Sequence, residues 1–397
     1  MSGKETWPKV AIIVLNWNGW RDTIECLESL QRLTYPNYQI IVVDNGSTDD
    51  SVEKIKAWAR GEIPVESKFV DYDPKTKPVH WVEYDQATEA GKINEEDASL
   101  KWLPSNQKMI IIQTGENLGF AAGNNVGIQF NLHSDKEIGY ILVLNNDTVV
   151  THSLLTEFVK AAKKPSENID MVAPVVLNYH NPNLVDRLGI VLTRSGLAYD
   201  RKYLMDGPLF CPSGCCALYS REMLEAVKMG DSYFDSSFFV YGEDVDLGFR
   251  ARLLGYQATL TRSALVYHKG SASTGGVGSS PSIYYRHRNT ILYLIKNLPN
   301  KIFWRYLGWI VLGQLGGVIR NIGRANFRWT VSGKCAALSK LSEMYQKRRT
   351  IQRQRVISVR ELLQFIDSRP LLIGRHRKTF PSSGLVEDKG NGKIQQQ

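Results

Sequence analysis

Four short apolar runs, separated by longer segments of mixed polarity, occupy the first 150 residues of the chain. They are rich in β-branched residues and lie at 9–15, 39–43, 109–113 and 140–144. Runs of this length and composition are typical of strands that are buried on both faces, as in parallel sheets. The intervening segments 21–33, 49–60 and 119–130 have the pattern of helices. This alternation predicts an α/β fold with a Rossmann-like, doubly wound and mostly parallel sheet.

Beyond residue 170 the pattern becomes mixed. It predicts a strand near 171–177, short antiparallel pieces up to residue 198, helices near 221–228 and 244–254, and two paired short strands within 260–268. We therefore expect a smaller antiparallel part beside the parallel sheet. Residues 61–108 interrupt the earlier alternation with four prolines and many acidic residues. We interpret them as an insertion, because so long a connection is unusual in a compact unit.

The C-terminal quarter differs from the rest in both polarity and charge. Residues 306–319 carry no charge, but they are fewer than the roughly twenty apolar residues of a membrane span. Aromatic and basic residues at 301–309 are typical of a helix that lies in a membrane interface, and a buried core helix is the alternative.

Positive charge is concentrated at the end of the chain. The net charge of the whole chain is +9. The segment from Arg320 onward has 17 Lys and Arg against 5 Asp and Glu, a balance of +12, so the residues before it carry a net negative charge. Such a tail suits either nucleic acid or the anionic cytoplasmic leaflet of a membrane. After residue 330 it lacks the interleaved aromatic residues that stacking on single-stranded bases would need, so we expect a membrane surface and no nucleic acid. Residues 301–397 are therefore predicted to form amphipathic helices and a basic tail.

Composition places the protein among ordinary globular chains. It has 397 residues, of which 43% are hydrophobic and 22% charged, enough for one large α/β domain with attachments. Five cysteines, an odd number, favour free thiols and a reducing compartment, and we interpret Cys211, Cys215 and Cys216 as buried thiols. The N-terminal sequence has no signal-peptide pattern. We expect a cytoplasmic protein that is peripheral to the cytoplasmic face of the cell membrane.

Polar residues follow each of the four apolar runs directly. They are Asn16, Trp17 and Asn18 after the first run, Asp44 and Asn45 after the second, Asn117 after the third, and Asn145, Asn146 and Asp147 after the fourth. Ligands of doubly wound sheets bind at these carboxyl ends. Asp44 could hold a base edge or a ribose hydroxyl group and Trp17 could stack on a ring, although Asp44 could also cap a helix. Gly119 belongs to a stripe of glycines that would allow close approach of the sheet or a ligand.

Two phosphate-binding motifs are missing from the sequence. No G-x-G-x-x-G follows the first strand and no G-x-x-x-x-G-K-S/T occurs, so neither a dinucleotide fold nor a P-loop is indicated. A bound diphosphate would therefore need a metal. Asp147 at a strand end offers a hard oxygen ligand for Mg²⁺ or Mn²⁺, and a plain turn residue is the alternative.

Three acidic residues open a predicted helix after an aromatic lead-in. Glu243, Asp244 and Asp246 stand at a helix N-terminus, where its dipole stabilises negative charge. The lead-in indicates that they face a partly dry site, in which a carboxylate can act as a general base.

Further along the chain, His268 follows a strand-like run and precedes a stretch rich in glycine and serine that suits a mobile lid. Arg286 and Arg288 come next and suit phosphate groups. His268 is either a metal ligand or a structural histidine.

Together these blocks resemble family 2 inverting nucleotide-sugar glycosyltransferases of the GT-A fold, especially the branch that includes rhamnosyltransferases. The blocks are VAIIVLNWNG, IIVVDNGSTDDS, ENLGFAAGNNVGI, VLNNDTVV and FFVYGEDVDLGFRARLLGY, followed by a His, a Gly/Ser loop and YYRHRN. The resemblance covers roughly residues 9–295.

The resemblance implies specific roles. Asp44 would contact the nucleotide, Asp147 would be the last carboxylate of the metal-binding D-x-D element, and Asp244 would be the catalytic base. Substrate would also contact Asn16, Trp17, Asn18, Asn45, Asn117, Gly119, Asn146, Glu243, Arg286 and Arg288, and His268 would join Asp147 at the metal. The first position of the D-x-D element is Asn145, which removes one negative charge from the metal site.

The implied organisation is a GT-A catalytic domain over 1–300, with a nucleotide-binding half at 9–150 and an acceptor half with a lid at 170–300. The implied partners are a nucleoside diphosphate sugar donor and a lipid-linked saccharide acceptor for surface polysaccharide or glycan synthesis. A sugar nucleotidyltransferase would need a glycine-rich basic loop after the first strand, which residues 16–21 do not supply. A non-catalytic nucleotide- or sugar-binding scaffold at a membrane is the other alternative.

Overall fold

The computed structural model describes residues 7–85, 103–164, 169–203, 209–270 and 278–369. Over these residues a ten-stranded sheet forms the centre of the fold. Its parallel half contains β1 (Lys9–Asn16), β2 (Tyr38–Asp44), β3 (His80–Asp85), β4 (Lys108–Gln113) and β5 (Ile138–Asn145). Strand β1 lies between β2 and β5, and β4 follows on the other side of β2. The four apolar runs are thus confirmed as parallel strands.

Helices connect these strands as the sequence predicts. They are α1 (Trp20–Leu30), α2 (Ser51–Arg60) and α3 (Gly119–Ser134). Glycines allow α3 to pack closely on the sheet, because a Cβ atom at Gly123 would come within 2.7 Å of Leu15 and one at Gly127 within 2.8 Å of Ile13. Aliphatic side chains such as Ile13 and Ile41 fill the space between sheet and helices.

The segment predicted as an insertion contributes to the sheet. Its strand β3 pairs in parallel with β4 at the edge, with Trp81 opposite Met109. Val82 of this strand is buried. Residues 86–102 of the same segment lie outside the described residues. The described part of 61–108 therefore widens the parallel half of the sheet rather than forming a separate unit.

The second half of the sheet is mixed. Its strands are β6 (Thr148–Val150), β7 (Ile169–Asn178), β8 (Val185–Arg187), β11 (Cys216–Ser220) and β12 (Gln257–His268). The same part of the chain contains the helices α4 (Leu154–Ala162), α5 (Arg221–Val227) and α6 (Glu243–Leu253), and the strands β9 (Ile190–Thr193) and β10 (Ala198–Asp200) of a separate three-stranded sheet. Strand β11 is antiparallel to both β5 and β7, and β9 and β10 are antiparallel to each other. The predicted antiparallel part is confirmed.

Strand β12 corrects one prediction. Residues 260–268 do not form two paired strands, because β12 runs on as a single strand that pairs in parallel with β7. Leu260 stands opposite Ala173, and Leu265 stands opposite Val175. The polar residues between the two leucines are thus accommodated in a bulge. They include no glycine, proline or asparagine to support a tight turn.

Helices cover the C-terminal part of the chain up to residue 369. They are α7 (Ser280–Asn297), α8 (Asn300–Asn321), α9 (Phe327–Ser339), α10 (Leu341–Gln354) and α11 (Val359–Gln364), followed by the short strand β13 (Ile366–Asp367). Helices α9 and α10 pack on α7, and β13 pairs in parallel with β9. The described part of the basic segment is thus folded onto the domain, and residues 370–397 of the predicted tail lie outside the described residues.

A buried ionic cluster joins α6, α7 and α10. The ammonium group of Lys296 lies 2.7 Å from Asp235 and 2.8 Å from Asp246, and its side chain is fully buried. Arg250 also pairs with Asp246 at 3.0 Å, and Lys347 pairs with Asp235 at 2.8 Å. The C-terminal helices are therefore tied to α6 and the loop before it by buried charges as well as by apolar packing.

The cysteines follow the expectation from the sequence. All five are free thiols, and Cys211, Cys215 and Cys216 are buried in the core. Burial raises the pKa of the Cys215 thiol to about 12, so this group is a neutral packing residue.

Candidate active site

A cavity of about 1570 Å³ opens beyond the carboxyl ends of β1 and β5. Its walls come from these strand ends, from the start of α6, from the end of β12 and from α7 and α8. Ten of the predicted site residues line it: Trp17, Asn45, Asn117, Gly119, Asn146, Asp147, Glu243, Asp244, His268 and Arg286. The structure therefore collects residues that are up to 269 positions apart in the chain around one space.

Asp147 and His268 meet at the bottom of the cavity because β12 returns beside β6. His268 stands opposite Thr148 in the antiparallel pair, which places it beside Asp147. The Nε2 atom of His268 lies 3.3 Å from Oδ1 of Asp147, and both side chains are almost fully buried. The other oxygen of Asp147 accepts a hydrogen bond of 3.2 Å from the backbone of Gly270.

Asp186 holds the opposite side of the histidine ring. Its Oδ2 atom lies 2.8 Å from Nδ1 of His268, and the same carboxylate pairs with Arg187 at 2.9 Å. Burial lowers the pKa of His268, but its hydrogen bonds to Asp147 and Asp186 outweigh this effect and raise the pKa to about 9. Burial opposes ionisation of Asp186, yet the contacts with His268 and Arg187 hold the pKa of Asp186 well below its usual range.

Asp244 stands at the start of α6 and faces the cavity. Its Oδ2 atom accepts a hydrogen bond from the backbone of Gly214 at 3.0 Å, and its Oδ1 atom accepts one from Val245 at 2.8 Å. Burial raises the pKa of Asp244, while these two backbone N–H groups lower it again in part. The carboxylate is half-buried, so a ligand in the cavity can reach it.

Glu243 beside it has a different environment. Its side chain is buried, and among the described residues its Oε2 atom has no hydrogen-bond partner. Burial and the neighbouring charge of Asp244 raise the pKa of Glu243 well above its usual value. Burial and the neighbouring charge thus favour the protonated form of Glu243, whereas the two backbone donors favour the ionised form of Asp244.

Asp246 corrects the expectation that all three acids face a partly dry site. It is fully buried and accepts hydrogen bonds from Lys296, Arg250 and Asn297 instead of lining the cavity. An α-helix turns by about 100° per residue, so side chains two positions apart differ in direction by about 200°. Asp244 and Asp246 therefore point to opposite sides of α6.

The loop before α6 brings the acids into place through an unusual backbone. Phe239, Tyr241 and Gly242 all have positive φ values, of 64°, 65° and 90°. Such values in bulky residues store strain and are held only where the surroundings enforce them. Gly119 contributes here, because a Cβ atom at this position would lie 2.4 Å from the ring of Phe239.

Asn16, Asn18 and Asp44 lie beside the cavity but do not line it. Asn16 donates a hydrogen bond of 2.7 Å to Asp44, and Ser47 donates one of 2.6 Å to the same oxygen. Asn18, with a φ of 50°, accepts a hydrogen bond of 2.7 Å from the backbone of Thr48. In the structure these residues fasten the loop after β1 to the loop after β2.

The two predicted arginines take different places. Arg286 is exposed, lines the cavity and lies 4.6 Å from the centre of the Tyr241 ring. Arg288 does not line the cavity, and its Nη2 atom donates to the backbone carbonyl groups of Ser237 and Phe238 at 2.7 and 2.8 Å. Arg288 thus supports the strained loop before α6.

The sequence analysis missed several cavity residues. Asp186 and Arg187 come from β8, and Arg320 and Arg324 come from the end of α8 and the residue stretch after it. No local motif marks these positions, because only the pairing of β7 with β8 and the packing of α8 bring them to the site.

Comparison with known proteins finds a solved structure with a similar fold and relatives with similar sequences. A crystal structure of GalNAc-T7 with UDP, GalNAc and Mn²⁺ superposes with a TM-score of 0.52 at 12% sequence identity, over 86% of this chain and 57% of that chain. A low-salt glycan biosynthesis hexosyltransferase of Haloferax volcanii is 23% identical over 50% of this chain and 64% of its own. An N-acetylglucosaminyl-diphospho-decaprenol L-rhamnosyltransferase of Mycobacterium tuberculosis is 31% identical over 36% of this chain and 38% of its own. The chain thus spans less than two thirds of either relative.

The sheet order and this superposition define the fold as GT-A. The family described as Glycosyl transferase family 2 matches residues 11–73, and the one described as Glycosyl transferase family group 2 matches residues 140–332. These matches support the resemblance to glycosyltransferase family 2 that the motifs predict, over both ranges.

Proposed function

We propose that this protein is an inverting glycosyltransferase that moves a sugar from a nucleoside diphosphate to a hydroxyl group of a saccharide, which is carried on a lipid for surface polysaccharide or glycan synthesis. The observation that carries the proposal is that Asp244, Asp147 and His268 share one cavity at the strand ends. It combines an ionisable base with two metal-ligating side chains, which is the set that such a transfer needs.

A divalent metal fits the pair formed by Asp147 and His268. Their buried atoms Oδ1 and Nε2 face each other at 3.3 Å, and the described residues contain no group of three potential ligands here. His268, which keeps its Nε2 proton in the absence of a metal, would release that proton on metal binding. Mg²⁺ and Mn²⁺ accept such a sparse set, since water and substrate phosphates complete the shell. When bound, the metal would supply positive charge to the leaving diphosphate.

Side chains of this protein supply the base and a positive charge for the leaving group. Asp244 takes the proton of the acceptor hydroxyl group, whose oxygen forms the new bond to the sugar carbon while the bond from that carbon to the diphosphate breaks. The N–H groups of Gly214 and Val245 hold Asp244 in place. Arg286 at the cavity edge offers a positive charge to the departing diphosphate.

For the donor we propose contacts along the ends of β1, β2 and β5. Trp17, Asn45, Asn117 and Asn146 line this part of the cavity, and Trp17 offers an aromatic face for the base or sugar. Both oxygens of Asp44 accept hydrogen bonds from Asn16 or Ser47 in the present structure. Asp44 would therefore contact the nucleotide only after Ser47 has changed its position.

Replacing Asp147 by Ala is expected to weaken donor binding at least about tenfold, and only when divalent metal is present. The substitution removes one of the two metal-ligating side chains. Titration calorimetry with a panel of nucleoside diphosphate sugars, with Mn²⁺ and with chelator, measures the effect. Asp231→Ala, which removes a side chain that is 90% exposed, is the control. Equal donor affinity of the unmodified protein with Mn²⁺ and with chelator would remove the metal from the mechanism.

Replacing Asp186 by Asn is expected to lower the affinity for Mn²⁺ by about 10- to 100-fold, because the carboxylate holds the ring of His268. Titration of Mn²⁺ in the presence of a nucleoside diphosphate tests this directly. Asp200→Asn is a matched control, since Asp200 lies 3.5 Å from Arg187 in the same cavity but does not contact His268. An equal loss in both variants would show that Asp186 acts only through Arg187.

We further propose that the protein binds the membrane surface through residues 301–397. Among the described residues, α8 is long and apolar enough to cross a membrane by its length and composition. The expectation that this segment is too short was wrong, because the helix continues through the charged residues on both sides of 306–319 to reach 22 residues. Its exposed side is apolar, with Trp304, Leu312 and Ile319 each more than half exposed.

The opposite side of α8 favours an interfacial position over a span. Ile302 and Ile310 are buried, and Gly313 lies against Ser195 and Leu197 of the domain. A helix with one side on the domain and the other side apolar and exposed suits the plane of a membrane interface. The name of the mycobacterial relative, which includes a diphospho-decaprenol, is consistent with a lipid-linked acceptor.

The full chain is expected to float with anionic liposomes at low salt and less with neutral ones, because apolar insertion and basic charge act together. Combining Leu312→Gln, Leu315→Gln and Ile319→Gln should abolish flotation. Leu184→Gln, at an exposed leucine outside the C-terminal helices, is the control. A full chain that stays in the soluble fraction, or a triple variant that floats as well as the control, would contradict the proposal.

The proposed activity is tested by incubating the protein with each nucleoside diphosphate sugar of the panel and following release of nucleoside diphosphate. Slow hydrolysis without added acceptor would exclude a non-catalytic scaffold. Formation of a nucleoside diphosphate sugar from a sugar phosphate and a nucleoside triphosphate would indicate a nucleotidyltransferase instead. Failure to bind any nucleoside diphosphate would contradict the transferase.

A further inference from the structure

Two arginines line the rim of the cavity at the end of α8. Arg320 lies in the last turn of the helix and Arg324 follows it, and both side chains are exposed. Arg324 donates one hydrogen bond of 2.6 Å to the backbone carbonyl of Arg320. Within the parts of the chain that the structure describes, neither guanidinium group forms a salt bridge to a carboxylate. Lys202, after β10, adds a third exposed positive charge to the cavity lining.

The same end of α8 is apolar on its outer side. Leu315, Ile319 and Ile322 are 51%, 65% and 61% exposed, while Gly317 and Arg320 line the cavity. The helix is therefore a wall with two different sides, a polar one toward the cavity and an apolar one toward the surroundings. A ligand that spans both sides must have a charged part and an apolar part.

The helix dipole offers a simpler reason for cations at a helix C-terminus. It accounts for Arg320 in the last turn, but it does not account for a second arginine beyond the helix end that also lines the cavity. Exposed arginines next to exposed aliphatic side chains are complementary to a phosphate group with an apolar chain attached.

We propose that Arg320 and Arg324 bind the phosphate groups of the acceptor, whose apolar chain lies along Leu315, Ile319 and Ile322 and whose saccharide reaches Asp244 through the cavity. This proposal rests on the proposed function and names the class of its acceptor, a saccharide joined to an apolar chain through phosphate. Each guanidinium offers paired N–H groups to phosphate oxygens. These two residues would thus determine acceptor specificity and take no part in donor binding.

The test uses farnesyl diphosphate as a probe that carries the phosphate and the apolar chain without a saccharide. Its affinity for the full chain is measured by titration with chelator present, beside inorganic diphosphate and farnesol. We expect farnesyl diphosphate to bind more tightly than either. The double variant Arg320→Gln and Arg324→Gln should weaken it at least about tenfold, since each charged hydrogen bond is lost.

The matched control is the double variant Arg328→Gln and Arg349→Gln, which removes two exposed charges from α9 and α10 outside the cavity. It should leave the affinity unchanged, and an equal loss in both double variants would reduce the effect to general surface charge and overturn the proposal. Inorganic diphosphate binding as tightly as farnesyl diphosphate would overturn the role of the apolar chain. A loss of affinity in Asp147→Asn equal to that in the test variant would place the probe in the donor site instead.

These outcomes are independent of transfer. A protein that transfers no sugar would contradict the proposed function, although the binding result could still stand. A protein that transfers sugar but binds the probe equally with and without the two arginines would contradict this inference alone.

Discussion

Asp244→Asn is expected to reduce sugar transfer at least about a hundredfold while donor affinity stays close to that of the unmodified protein. The amide keeps the size of the carboxylate, but it cannot take the proton of the acceptor hydroxyl group. Each oxygen of Asp244 accepts one backbone N–H bond, so the Asp244→Asn side chain keeps only the bond to its amide oxygen, and this loss lies away from the residues proposed to bind the donor. Initial rates at saturating donor, together with donor titration, measure the two quantities separately.

Glu243→Gln is the matched control for this prediction. Its side chain also lines the cavity, but burial and the charge of Asp244 raise its pKa and favour the neutral acid, which the amide resembles. We expect this variant to keep most of its turnover. Full turnover in Asp244→Asn together with its loss in Glu243→Gln would assign the base to Glu243 instead.

The pH profile gives a second measure of the base. Burial raises the pKa of Asp244, so the acidic limb of kcat/KM should lie above the ordinary value for aspartate, about 3.9. Below that limb Asp244 is protonated and the rate falls, whereas the residual rate of Asp244→Asn should lack the limb. An identical acidic limb in both proteins would show that another group titrates.

Lys296→Met is expected to lower the free energy of unfolding by about 3–5 kcal/mol, the largest effect on stability predicted for this protein. The substitution keeps an unbranched chain in a fully buried place but leaves the carboxylates of Asp235 and Asp246 short of one positive partner. Arg250 and Lys347 remain beside them, which limits the loss. Urea denaturation of the two proteins gives the difference.

Lys301→Met is the control, because Lys301 is exposed near the start of α8 and its replacement should change stability by less than about 0.5 kcal/mol.

The ionic cluster around Lys296 also predicts a pH dependence of stability. Burial opposes ionisation of Asp235, but Lys296 and Lys347 outweigh it and hold its pKa well below the usual range. This contribution is present above about pH 4 and is lost as the pH falls further. An unchanged urea midpoint in Lys296→Met would show that the cluster contributes no net stability.

The strand ends around the cavity could be predicted from the sequence. The strand ends at Asn16, Asp44 and Asp147 follow from short apolar runs, and parallel strands place their carboxyl ends at one edge. The loop before α6 could also be recognised in the sequence, because aromatic residues precede three acidic residues there. Which of the acids faces the cavity depends on helix phase, and this separates Asp244 from the structural Asp246.

The residues that complete the cavity lack such local signals. Asp186 and His268 are 82 residues apart in the sequence. They meet because β8 and β12 both pair with β7. Arg288 has the same residue type as Arg286 two positions earlier, yet only Arg286 lines the cavity, because Arg288 satisfies carbonyl groups of the loop before α6. Residue type therefore does not distinguish a ligand contact from a structural one.

The fold class, the resemblance to glycosyltransferase family 2 and the positions of the parallel strands could all be predicted from the sequence, since they depend on local apolar runs and on short motifs. The tertiary structure alone showed that β3 extends the sheet, that β12 is one bulged strand and that α8 separates the cavity from an apolar surface. Each of these depends on contacts between distant segments. A one-dimensional pattern records how apolar a segment is, but not which partner covers it.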